Sequence, residues 1–109
     1  MSTDWRWATL MKGSIKRLRE EGACTVPFVD FELIPDFNGS PENMFAWFIC
    51  DTRASKEQFR ESALPGCTEA LRAIAVAAGF PGAAAATLRT DVTSHEEIEA
   101  GGGRFLFFR

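Results

Sequence analysis

Seven consecutive residues, Met44-Phe-Ala-Trp-Phe-Ile-Cys50, are apolar at both strand parities. Side chains of a strand alternate between the two faces of a sheet, so a run with no polar parity predicts a central strand covered on both sides. The segment Arg104-Phe-Leu-Phe-Phe108 has the same character and predicts a second such strand. In a two-layer α+β domain the helices cover one sheet face and the other parity is ordinarily polar. Here Phe45, Trp47 and Ile49 oppose Met44, Ala46, Phe48 and Cys50, and Phe105 and Phe107 oppose Leu106 and Phe108. Whichever parity meets the helices, large aromatics stand on the other side.

The remaining periodicities surround these two segments. Trp7, Met11, Ile15 and Leu18 recur at helical spacing within a helix expected over Trp5–Glu21, with Thr3 or Asp4 as N-cap and Gly22 as the stop. Val26–Ile34 alternates as an edge strand, Pro27 being tolerable only at an edge or a strand end. Pro35–Glu42 is dense in turn formers. A capping box at Ser55–Gln58 opens a second helix, which Pro65-Gly66 breaks, and a further piece runs from Thr68 to Gly79. Ala84–Asp91 is read as a strand, because Thr87, Leu88 and Thr90 outweigh its alanines. Thr93 and Ser94 precede Glu96 and Glu97, so a capping box starts a short helical turn to about Ala100, followed by a Gly101-Gly102-Gly103 loop.

The expected architecture is thus a two-layer α+β sandwich spanning residues 1–109 as one domain, in the order α-β-β-α-β-β, with a four-stranded, mainly antiparallel sheet. That order equals a ferredoxin-like β-α-β-β-α-β unit with its first strand moved to the end. Met44–Cys50 and Arg104–Phe108 occupy the centre of that sheet. A chain of 109 residues is long enough for one hydrophobic core.

Composition narrows the function classes. Ten Phe and three Trp accompany no Tyr, an inventory suited to packing rather than polar recognition. The net charge of −3 argues against nucleic-acid binding, whose affinity comes from neutralising phosphates. Residues 1–22 carry +2 and the rest −5, which reads as a solvated basic helix face rather than a dock for an acidic partner. No apolar run approaches the ~20 residues of a membrane span, and no apolar leader precedes Arg6. Cys24, Cys50 and Cys67 are few, odd in number and widely spaced. Reduced thiols in a cytoplasmic protein are the expectation.

The chemistry on offer is thin. Cys67 follows Pro65-Gly66 at a helix start, where the dipole lowers a thiol pKa, and His95 is the one histidine able to serve it as a base. The plainer reading makes Cys67 the first apolar residue of its helical stripe. Cys24, Cys50, Cys67 and His95 lack the paired spacing of a zinc site, so no metal and no cofactor are expected. Asp30 and Glu32 share a parity and suit either an acid/base pair or the solvent face of an edge strand. Gly101–Arg104 suits an anion cradle or a plain turn. No GxGxxG, P-loop, GxSxG or HExxH is present.

The leading expectation is therefore a binding or interaction module that homodimerises through Phe45, Trp47, Phe48, Phe105 and Phe107. Two alternatives stand beside it. The chain's own first helix or its 35–42 turn could fold over the aromatics, or the aromatics could line a pocket for a small apolar ligand, in a binder or a small enzyme.

Overall fold

The computed structural model describes residues 5–22 and 24–108. The elements in chain order are α1 (Arg6–Glu20), β1 (Asp30–Ile34), β2 (Phe45–Cys50), α2 (Arg53–Ser62), α3 (Leu64–Ala77), α4 (Gly82–Ala85), β3 (Arg89–Ser94), α5 (His95–Ala100) and α6 (Arg104–Phe107). The sheet has three strands in the order β1-β2-β3. β1 pairs with β2 antiparallel, and β2 pairs with β3 parallel. A parallel neighbour requires a crossover of a dozen or more residues, which α2, α3 and α4 supply.

The expected four-stranded, mainly antiparallel sheet, and with it the permuted ferredoxin-like arrangement, is overturned: the sheet is three-stranded and mixed, with six helices among the described residues. Two misread segments account for this. Residues 82–85 form a helical turn, so the strand expected over Ala84–Asp91 starts only at Arg89 and runs to Ser94. Arg104–Phe107 is a single helical turn rather than a central strand. Gly102 and Gly103, at φ +94° and +95°, swing the chain out of line before it, a conformation glycine adopts without a Cβ penalty. The place beside β2 that this segment was expected to fill belongs to β3.

Other readings shift by a turn or less. Gly22, at φ +63°, follows α1 as its stop, while Thr3 and Asp4 lie outside the described residues. The cap of α2 is Thr52, whose Oγ1 accepts the Ser55 N–H at 3.1 Å, so the helix starts ahead of the Ser55 box. Pro65 sits in the first turn of α3, where its missing N–H costs nothing, and the break falls at Ala63. The alternating run from Val26 yields a strand only from Asp30. Val26 and Phe28 still bury their side chains.

One face of the sheet meets α1, α2 and α3. Phe31 and Leu33 of β1, Ala46, Phe48 and Cys50 of β2, and Val92 of β3 pack with Met11, Ile15, Leu18, Phe59 and Leu71. Phe28, Phe48 and Phe59 form an aromatic trio with ring centroids 4.9–6.1 Å apart. Complete burial of one such ring contributes roughly 1.5–3 kcal/mol. Among the described residues no helix is long and apolar enough to cross a membrane.

Candidate binding site on the second sheet face

The opposite parity of the three strands forms three rows across the sheet. Asp30, Ile49 and Thr93 share one row, Glu32, Trp47 and Asp91 the next, and Ile34, Phe45 and Arg89 the third. The cover of these rows comes from the C-terminal segment, not from the first helix or the 35–42 turn. Residues 95–108 fold back over the face as a strap.

The strap is anchored at both ends. At its start the Ser94 side chain caps α5 by accepting the Glu97 N–H. The Glu96 carboxylate accepts the Arg53 backbone N–H at 3.0 Å. Glu97 accepts from Lys56 Nζ at 2.6 Å and from Thr93 Oγ1 at 2.9 Å. Burial pushes the Glu97 carboxyl toward protonation, but the hydrogen bonds from Lys56 and Thr93 outweigh it and hold the pKa below the usual range. Beyond the glycines, Arg104 binds Asp30 at 2.7 Å, Glu32 at 3.2 Å and the Phe31 carbonyl. Burial again opposes ionisation of Asp30, and Arg104, the Phe31 N–H and the charge of His95 together lower its pKa. Gly102, at φ +94°, is required in the return turn by its backbone conformation, since the Leu106 Cδ1 that a Cβ there would approach is the end of a half-exposed side chain free to move.

Past Arg104 the strap lays its rings on β2. Phe107 and Phe108 meet the Trp47 ring edge-on at 6.2 and 5.7 Å, and each other at 5.0 Å. Trp47 stacks on Phe45 at 5.1 Å and an interplanar angle of 23°. Such pairs are each worth about 0.5–1.5 kcal/mol beyond their burial. The rings do not close over the third row. They leave a cleft of about 340 Å³ bounded by Ile34, Asn43, Phe45, Trp47, Arg89, Phe107 and Phe108. Asn43, at φ +61°, brings the chain into β2 at the mouth of this cleft, and Asn tolerates that region better than most residues. Arg89 lies over the Phe45 ring, its Cζ 5.5 Å from the centroid.

Of the residues singled out from the sequence, Phe45, Trp47 and Phe107 come together at this cleft. Phe48 points the other way, fully buried in the helix-side core. Phe105 stands on the outside of the strap, 80 % exposed. Sequence reasoning did not pick out Arg89, Asn43 or Ile34. Their membership depends on strand register, which leaves no local signal.

Cys67 and His95 do not form a nucleophile–base pair. Cys67 is buried and bonded to Cys24 as a disulfide, Cα atoms 5.4 Å apart, which overturns the expectation of a free thiol there. The wide spacing gave no hint of this, because the packing of α3 against α1 brings the two cysteines together. His95 opens α5 on the far side of the sheet. Cys50 is the free cysteine among the described residues, and burial pushes its thiol pKa up to about 11. Arg104 spends its guanidinium on Asp30 and Glu32, so the glycine loop is a turn held by an ion pair rather than an anion cradle. Those same contacts remove Asp30 and Glu32 as a free acid/base pair. No group of three or more His, Cys, Asp or Glu among the described residues is placed to hold a metal ion.

A wider depression of about 530 Å³ lies between α3 and α4, but half of its lining residues are alanines and its Arg72 is engaged with Glu69 and the Leu88 carbonyl. It offers little shape or polarity to read. Comparison with protein-family models, curated proteins and solved structures found no match to this chain.

Proposed function

We propose that this chain is a binding module whose working surface is the aromatic cleft on the second sheet face, and that it receives a flat apolar group there. The observation that carries this reading is the half-covered ring set. Phe45, Trp47, Phe107 and Phe108 are all partly exposed around a concavity within the usual size range of ligand sites. A chain using its own strap only to complete a core would close these rings, since exposed aromatic area forgoes about 25 cal/mol per Å².

A second reading, self-association over the same face, is favoured by Phe37, Phe105 and Leu106, which are 93, 80 and 50 % exposed. Phe37 stands in the β1–β2 loop that also carries Asn43 of the cleft. Large exposed apolar side chains beside a concavity are common at interfaces.

The test is a titration with neutral naphthalene-1-acetamide, followed through the Trp47 indole N–H resonance, with light scattering across protein concentration. Binding by the cleft shifts the Trp47 resonance while leaving those of Trp5 and Trp7 in place, and Phe107→Ala weakens it. A concentration-dependent mass doubling that broadens the Trp47 resonance supports self-association instead. Absence of any Trp47 response to the probe sinks the ligand reading.

A further inference from the structure

Resting on the binding role of the cleft, we infer the chemical class of its ligand: an aromatic acid, its ring against Trp47 and Phe45 and its anionic group on Arg89. The chain as a whole is acidic, with 15 carboxylates against 12 Lys and Arg. The cleft inverts that balance. Among the described residues its polar members are the Arg89 guanidinium and the Asn43 amide, with no carboxylate in its lining.

Several of the other arginines are paired with carboxylates, although Arg19 and Arg53 are not among them. Arg60 holds Asp91, Arg72 holds Glu69, and Arg104 holds Asp30 and Glu32. Asp91 belongs to the row next to Arg89 on the same strand, yet it turns to Arg60. Among the described residues Arg89 makes no ion pair, and its contact is the face of Phe45. No side-chain hydrogen bond engages the guanidinium among the described residues, and its N–H donors are the kind that grip a carboxylate. A ligand ring entering beside Phe45 would bring an anionic substituent on that ring toward them. An aromatic cation or a plain hydrocarbon satisfies only half of this site.

The experiment compares naphthalene-1-acetate with its neutral isostere naphthalene-1-acetamide, by calorimetry and by the Trp47 resonance, on the wild-type chain, R89Q and R89K. The wild type is expected to favour the acetate about tenfold, the scale of one charge-assisted contact. R89Q should weaken acetate binding far more than acetamide binding and so erase most of that preference, and R89K should keep part of it. The preference should shrink with added salt. If the acetamide binds the wild type as tightly as the acetate, or if R89Q weakens both equally, the ligand class is wrong while the cleft still binds rings. If neither compound moves Trp47, the binding role itself fails, and this inference with it.

Discussion

Phe48 and Trp47 are neighbours in β2, yet they live in different kinds of structure. Phe48 faces three helices, is fully buried and packs against Phe28 and Phe59. Trp47 faces a strap of fourteen residues, remains partly exposed, and borders a cleft. The first face is held by contiguous apolar packing. The second depends on a Ser94 cap, a Lys56–Glu97 pair, a glycine turn and the Arg104 contacts to Asp30 and Glu32. Non-directional burial makes a rigid layer. A cover tied on by a few polar anchors and edge-on rings can leave space beneath it and can open locally at a lower free energy than the whole fold.

The sharpest way to break this contrast is to truncate both neighbours. Phe48→Ala should cost about 3–5 kcal/mol, enough to threaten folding, because the trio has no room to collapse around the void. Trp47→Ala removes a larger ring but should cost less, since its surroundings are already part solvent. Urea unfolding of the two variants measures the difference. An equal loss would mean that the strap side is as closely packed as the helix side.

Charge offers the next test. Lys56 is nearly buried, 9 % of its side chain exposed, and it pairs with Glu97 across the strap junction at 2.6 Å and with Glu57 on its own helix at 2.7 Å. Glu97→Gln should destabilise by about 1 kcal/mol, because the contact across the junction loses its charge while Glu57 still pairs with the ammonium. The folded-state pKa values of Glu97 and Asp30 are both depressed, so their contribution is present above their unfolded values and is lost as pH falls through the folded ones. On acidification below about pH 4 the strap should therefore loosen before the helix side unfolds. The Trp47 indole resonance, followed from pH 6 to 2 beside helix-side signals, reports the order. Simultaneous loss of both would show one cooperative unit.

The smallest expected effect is also the most discriminating. Arg104 and its partners are partly exposed, and such pairs contribute under about 1 kcal/mol to global stability. Arg104→Gln should leave the unfolding midpoint nearly unchanged while amide exchange in residues 101–108 rises several-fold. If exchange in α1 and α3 rises to the same degree, the two faces are not independent.

Much of the helix side was readable before any coordinates. The stripe Trp7, Met11, Ile15 and Leu18 predicted α1, the doubly apolar run predicted a central strand, and the capping box of Thr93 and Ser94 with Glu96 and Glu97 predicted the start of α5, where Ser94 is the cap. These are local regularities of period 3.6 or 2, or contacts three residues apart, and they are written into the chain wherever it folds. The aromatic excess on the second face was equally legible from parity.

What the chain could not disclose alone was the identity of the cover. Arg104–Phe108 is five residues long, too short for period to separate a strand from a helical turn. Its state follows from the φ of Gly102 and Gly103 and from partners 72 to 74 residues away in sequence, Asp30 and Glu32. The same holds for the Cys24–Cys67 bond and for the place of Arg89 above Phe45. Each depends on which elements become neighbours, a long-range choice made by the burial of the whole chain. The doubly apolar strand required that something lie on each of its faces, and only the tertiary structure decided that one cover would be a helical layer and the other a tethered strap with a cleft beneath it.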